Sequence, residues 1–229
     1  MKSKKKMVIS LGGSLIVPAK GIDWEFLKKF RKLILEQIKK NKIIFLIAGG
    51  GDTCRKYNRA AQKVIKIDPE DLDWLGIHSS RLNAHLIRTI FRDVAHPEII
   101  KNPTIHLPIQ EKVIVGGGWK PGWSTDYVAT LVAQEYEVKT VINLSNVDYA
   151  YWQDPKKNKN AQAITETDWP SFRKIVGNKW KPGLSAPFDP IASQKAQQLG
   201  LEVIIANGKK LTNLKKILNG QKFRGTVIK

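Results

Sequence analysis

KIIFLIAGGGDTCRKYNRAAQKVIK, residues 42–66, passes from an apolar run through three glycines into a polar segment compatible with a helix. Ile43 to Ala48 are continuously apolar, which is the pattern of a strand buried on both faces rather than one with a wet side. Gly49, Gly50 and Gly51 end that strand. The same order appears earlier, where Met7 to Leu11 stop at Gly12-Gly13-Ser14. A helix candidate follows from Asp23, with Trp24, Leu27, Phe30, Leu33, Ile34 and Ile38 at intervals of three and four. It appears a third time where Lys112 to Val115 meet Gly116-Gly117-Gly118 and Thr125 to Tyr136 resume a helical pattern.

The remainder continues the alternation. Asp73 to Phe91 carries apolar residues at helical spacing, Thr140 to Leu144 reads as a buried strand, and QDPKKNKNA at 153–161 as a solvated loop. Pro190 to Leu199 predicts a helix, LEVIIA at 201–206 a strand, LTNLKKIL at 211–218 a helix, and GTVI at 225–228 a terminal strand. Strands alternating with helices imply an α/β fold whose largely parallel central sheet is sandwiched between helices. With no convincing linker, residues 1–229 are expected to form one domain of two lobes.

Composition narrows the function classes. At 42% hydrophobic residues, the 229-residue chain can bury a substantial core. It contains no run near the roughly 20 apolar residues that span a bilayer. Its basic start lacks a long apolar region and a small-residue cleavage site, so a cytoplasmic location is expected. One cysteine, Cys54, excludes an internal disulfide framework, and the four histidines show no zinc spacing, so no metal ligands are singled out. Lys and Arg number 39 against 20 acidic residues, a formal charge of +19 that makes polyanions natural partners. The lysines are dispersed over predicted solvent faces, without a zinc finger or an RRM signature, so nucleic acid is not a required partner.

Glycine turns at strand ends suit phosphate. Without a Cβ an anion can approach the backbone, and the following helix presents free N–H groups and a positive dipole. The chain has neither Gly-x-x-x-x-Gly-Lys-Ser/Thr nor a Gly-x-Gly-x-x-Gly with a properly placed downstream acid, which argues against a P-loop enzyme and a Rossmann dehydrogenase.

The segments ISLGGSLIVP, IAGGGDTCRKYNRAA, DWLGIHSSRLNA, VGGGWKPGWSTDYVATLVAQ and NLSNVDYAYWQDPKK, with the terminal GTVI, resemble the amino acid kinase superfamily, and most of all its archaeal-type UMP kinases. The resemblance runs from about Met7 to Ile228. It implies the amino acid kinase fold, with an N-terminal acceptor lobe and a C-terminal ATP lobe. It also implies transfer of the ATP γ-phosphoryl group to UMP, with Mg²⁺ bound to ATP, in a homo-oligomer built as a hexamer of three dimers. By the same resemblance Gly50, Asp73 and the stretch Trp119, Lys120, Pro121, Gly122, Trp123, Ser124 and Thr125 bind UMP. Gly13, Ser14, Gly51, Arg55, Ser145, Tyr151 and Asp154 bind ATP, and Arg55 and Asp148 stand at the reacting phosphates. Arg55 follows Gly51 by four residues, about one helical turn, so its cation can reach the same anion. Ser124, Thr125 and Asp126 are each able to cap a helix, and Asp73 could be an N-cap before WLGI.

Three positions depart from the superfamily pattern. Ser10 occupies a place where many members carry lysine, Tyr149 replaces a glycine, and Gln194 stands where a lysine is expected, with Lys195 one place later. That offset rotates a helical side chain by about 100°. The alternatives are a non-catalytic nucleotide- or oxyanion-binding protein and a related small-molecule phosphate kinase.

Overall fold

A computed structural model describes residues 5–153, 158, 160–179 and 186–229. The elements run β1 (Lys5–Leu11), α1 (Gly13–Ile16), α2 (Trp24–Ile38), β2 (Lys42–Ala48), α3 (Gly51–Val64), α4 (Pro69–Ile90), β3 (Val113–Gly116), α5 (Thr125–Glu135) and β4 (Thr140–Ser145). Then come β5 (Ala150–Tyr151), β6 (Ala163–Ile164), β7 (Glu166–Thr167), α6 (Trp169–Val176), α7 (Pro190–Gln198), β8 (Glu202–Asn207), α8 (Leu211–Leu218) and β9 (Thr226–Ile228).

Seven strands form one sheet in the order β3-β2-β1-β4-β8-β9-β7, and β5 with β6 makes a separate antiparallel pair. The five strands from β3 to β8 are parallel. The terminal strand β9 instead runs antiparallel to β8, and β7 follows β9 at the edge. The chain lays β2 and β3 to one side of β1 and β4 and β8 to the other. The carboxyl ends of β1 and β4 are therefore the switch point where an open α/β sheet leaves a crevice.

Alternation along β1 feeds two cores. Ile9 and Leu11 face α1, α2 and α8, where Phe30, Ile34 and Leu214 are buried, whereas Val8 faces the α5 and α7 side with Val128, Val132 and Ala192. Each fully buried Ile, Leu or Phe contributes about 1.5–3 kcal/mol. Ser10, on the same strand face as Val8, is 2% exposed and is the polar interruption in that core.

The helix starts follow local chemistry. Asp23 accepts from the N–H of Phe26 at 2.9 Å and opens α2, as its pattern predicts, and Asp168 does the same for α6 through Ser171 at 2.7 Å. The fourth helix begins at Pro69, before the expected Asp73, because proline is pre-organised for a first helical turn. Asp73 therefore lies within α4 rather than capping it. Of the expected loop at 153–161, only residues 153, 158, 160 and 161 are among those described, and Asp154 lies outside them. Among the described residues no helix is long and apolar enough to cross a membrane.

Candidate active site

Three glycine turns meet at the carboxyl edge of the sheet, and two of them are interlocked backbone against backbone. The N–H of Gly12 donates to the Leu144 carbonyl at 2.9 Å and that of Gly49 to the Leu11 carbonyl at 3.0 Å, tying the ends of β1, β2 and β4 together. A Cβ on Gly13 would collide with the Gly51 nitrogen and come within 2.6 Å of the Gly49 carbonyl carbon. One on Gly51, where φ is +66°, would fall 2.5 Å from the Gly13 oxygen. Glycine is demanded here by the mutual packing of the two turns as well as by any anion above them.

The third turn is held by α4. Ser80 Oγ accepts from the N–H of Gly118 at 2.8 Å, and the Arg81 guanidinium donates to the carbonyls of Gly118 at 3.0 Å and Trp119 at 2.8 Å. One turn further along, Asn83 Nδ2 donates to the carbonyls of Gly49 at 2.7 Å and Gly50 at 3.1 Å. A single helix thus fastens the turn after β2 to the turn after β3. Asp73, on the same helix, accepts from the N–H of Gly122 at 2.8 Å. Burial raises the Asp73 pKa above the ordinary carboxylate value, the Gly122 N–H works against that shift, and Glu70 adds to it.

The loop held in this way is aromatic and cationic. Trp119 and Trp123 stack with centroids 6.3 Å apart, Trp123 stacks on Tyr127 at 4.1 Å, and Lys120 Nζ lies 4.2 Å above the Trp119 ring. Gly122 supplies the left-handed bend with φ +87°. Ser124 is the cap of α5, accepting from the N–H of Tyr127 at 3.1 Å, so Thr125 is the first helical residue and its N–H lies at the positive end of α5.

Asp126 does not cap. It projects toward β1, where Ser10 Oγ donates to it at 2.8 Å, and the N–H of Asp189 approaches its other oxygen at 3.4 Å. Loss of water raises the Asp126 pKa from 3.8 to about 6. The Ser10 hydrogen bond opposes this shift and the neighbouring Asp189 charge reinforces it. Asp189 is 5% exposed, caps α7 by accepting from the N–H of Ala192 at 2.6 Å, and is itself shifted upward, chiefly by burial. Two acidic side chains thus approach each other beside Ser10.

Arg55 lies in the first turns of α3, where its Nε donates to Asp52 at 3.2 Å. Asp52 is 3% exposed and is faced by Arg55, Lys56 and Arg59. Lys56 first, and then Arg55, hold its pKa below the ordinary value against the opposing effect of burial. On the other side of the switch point, Ser145 ends β4 and its carbonyl accepts from the N–H of Gly208 at 2.9 Å, while Tyr151 is half-buried in β5. Asp148 is half-buried and pairs with Lys210 at 2.7 Å, which with Asn207 and Arg224 lowers its pKa. Tyr149 takes the glycine's place without a left-handed backbone.

Gly13, Gly50, Gly51, Asp73 and the Trp119–Thr125 loop are therefore brought together through α4, with Arg55 one helical turn away. Ser145, Asp148 and Tyr151 stand across the β1–β4 junction. Ser80, Arg81, Asn83, Asp126 and Asp189 received no site role from the sequence. Asp73, Gly76, Ser80 and Asn83 recur at intervals of three and four, a small and polar stripe on α4 that could have identified the clamp. Among the described residues no three His, Cys, Asp or Glu side chains are grouped to hold a metal ion. An ion carried on nucleotide phosphates requires no such group.

Comparison with known proteins agrees with this architecture. Residues 5–207 match the amino acid kinase family. Uridylate kinase of Pyrococcus abyssi is 31% identical over 229 residues, 97% of this chain and 99% of the relative. That of Sulfurisphaera tokodaii is 30% identical over 230 residues, 97% and 98% of the two chains. The crystal structure of uridylate kinase from Archaeoglobus fulgidus superposes with a TM-score of 0.81 at 28% identity, covering 98% of this chain and all of that one. At 20% identity, a UMP kinase from Bacillus anthracis shares the fold, with a TM-score of 0.77 over 98% of this chain and 95% of its own. The expected fold is thus observed, and the chain belongs to the amino acid kinase family.

Proposed function

We propose that the chain is a UMP kinase, a phosphotransferase that moves the γ-phosphoryl group of ATP onto the phosphate of UMP and releases UDP and ADP. The observation that carries this reading is the α4 clamp. Ser80, Arg81 and Asn83 lock the turn after β2 to the loop after β3, so a donor held on one and an acceptor held on the other keep a fixed separation. Phosphoryl transfer needs in-line positioning and charge neutralisation more than covalent help, and fixed backbone amides supply both.

On the acceptor side, Gly50 and Thr125 offer backbone groups to the UMP phosphate, Trp119 to Ser124 enclose the nucleotide, and Asp73 accepts from ribose hydroxyls. The Asp73 bond to the Gly122 N–H uses one oxygen and leaves the other for this role. On the donor side, the amides of Gly13, Ser14 and Gly51 cradle phosphates, Arg55 adds a cation, and Ser145, Tyr151 and Asp154 bind the rest of ATP. The acceptor groups come from residues 50–125, and most of those for the nucleoside of ATP from residues 145–154, which supports two lobes on one sheet.

Mg²⁺ supplied with ATP would neutralise charge on the transferring group. Asp148 lies with its lysine partner at the donor end and orients that cation. Ser10 contributes no charge, so the cation work within the chain falls to Arg55 and the turn amides. The homo-oligomer, as a hexamer of three dimers, belongs to the same proposal.

A coupled assay of the purified protein with Mg-ATP and UMP, CMP or isopentenyl phosphate tests this reading. UDP formation with UMP preferred is expected. Preference for a non-nucleotide acceptor overturns the acceptor assignment. Nucleotide binding without turnover would establish the non-catalytic alternative.

A further inference from the structure

A cavity of about 740 Å³ lies where the N-terminus of α8 meets α2 and the segment leading into β9, and Lys210, the partner of Asp148, is the one lining residue it shares with the donor end. Its volume is in the range of small-ligand sites, about 300–1,000 Å³. Six cationic residues line it: Lys29, Lys209, Lys210, Lys216, Lys222 and Arg224. None of its lining residues is acidic. Among the described residues only Lys210 of the six has a carboxylate partner, Asp148 at the rim. Cations concentrated in a concavity repel one another and raise the local concentration of anions.

The walls are built rather than incidental. Asn213 Nδ2 donates to the Arg224 carbonyl at 2.6 Å while its Oδ1 accepts from the N–H of Arg224 at 2.9 Å, fixing the segment against α8. A Cβ on Gly225 would fall 2.6 Å from the Ile205 carbonyl, so that segment also presses directly on β8. No side chain caps α8, whose positive end, at Leu211 and Thr212, borders the same space. Leu211 and the half-buried Phe223 give one apolar surface beside the cations.

We propose that this cavity is a second anion site that takes a triphosphate group, distinct from the donor and acceptor sites and meeting the donor end only at Lys210. The cation cluster fits a chain of linked phosphates better than one carboxylate or one phosphate, because a single small anion cannot meet charges spread around the cavity. The group could arrive as an inorganic polyphosphate or as the tail of a nucleoside triphosphate. In the second case Phe223 stacks on the base.

Isothermal titration calorimetry of the full chain with sodium tripolyphosphate tests the site. We expect saturable binding, weakened about tenfold by Lys216→Glu with Lys222→Glu, since two exposed cations become repulsive. Two controls should leave the binding that depends on Lys216 and Lys222 unchanged. Arg55→Ala alters only the proposed donor site, and Lys63→Glu with Lys66→Glu makes the same change in net charge elsewhere. A thermal melt checks the fold of the double variant, and Lys222→Glu alone gives the same test with less perturbation. A parallel titration with dTTP separates the sources. Tighter binding than tripolyphosphate that Phe223→Ala reduces to the same level identifies a nucleotide, and equal binding identifies the bare polyanion. No saturable binding, equal weakening in the charge-matched control, or loss of the Lys216- and Lys222-dependent binding on Arg55→Ala overturns the proposal. Binding of single-stranded RNA without binding of tripolyphosphate does so as well.

Discussion

Replacing Asn83 by alanine removes the donor that holds the turn after β2. Asn83 is 3% exposed, and its amide bonds to the carbonyls of Gly49 at 2.7 Å and Gly50 at 3.1 Å. Gly49 is buried, so its carbonyl loses a partner that water cannot easily replace, at about 1–3 kcal/mol; the half-buried Gly50 carbonyl loses a net 0.5–1.5 kcal/mol, roughly. Together these amount to about 2–4 kcal/mol, or roughly 5–15 °C in Tm for a chain of this size. Thermal and urea melts should show a lower midpoint with an unchanged m-value. Because the turn carries both Gly50 and Gly51, kcat should fall and KM should rise for ATP and UMP together. Asn83→Asp should be worse than alanine, since an ionised carboxylate would face two carbonyl oxygens. A melting point within 2 °C or so of wild type with unaltered kinetics, or an aspartate milder than alanine, would refute the clamp.

Four further outcomes follow from the same geometry. Gly13→Ala should be destabilising by about 3 kcal/mol or more, because its Cβ would meet backbone of the second turn that cannot swing aside; a soluble variant with wild-type melting would contradict this. Arg55→Ala should cost little stability, as its exposed pair with Asp52 leaves Lys56 and Arg59 in place, while kinase turnover drops; the reverse pattern would assign Arg55 to structure. The folded state holds a proton on Asp126 up to about pH 6, whereas the unfolded chain releases it near 3.8, so this group's stabilisation is present at low pH and lost as pH rises through that window. Tm measured against pH should therefore slope less steeply downward across it in Asp126→Asn. Ser10→Lys should be tolerated, because Asp126 stands 2.8 Å from the serine hydroxyl and can pair with the new charge, yet turnover with saturating UMP should not rise if Arg55 and the turn amides already suffice; a large gain would show that the site lacks a cation.

The recurring order of strand, glycine turn and helix made the α/β class and the largely parallel sheet legible, because burial on both faces leaves continuous apolar runs and crossover helices leave a period of 3.6. The glycine turns were visible for the same local reason. Glycine interrupts such runs wherever it stands. Local pattern could not supply strand direction at the end of the chain. The apolar run at Thr226–Ile228 is equally compatible with either direction, and its antiparallel pairing with β8 follows from where α8 returns the chain. Nor could it show why Gly13 and Gly51 must both be glycine, since that is set by two backbones meeting across 38 residues of sequence. Asp126 is the sharpest case. In sequence it is one of three residues able to cap a helix, and Ser124 takes that role. Only the packing of α5 against β1 carries the Asp126 carboxyl out of water and onto Ser10, 116 residues away, because desolvation and proximity are properties of the assembled fold and not of any local stretch of chain.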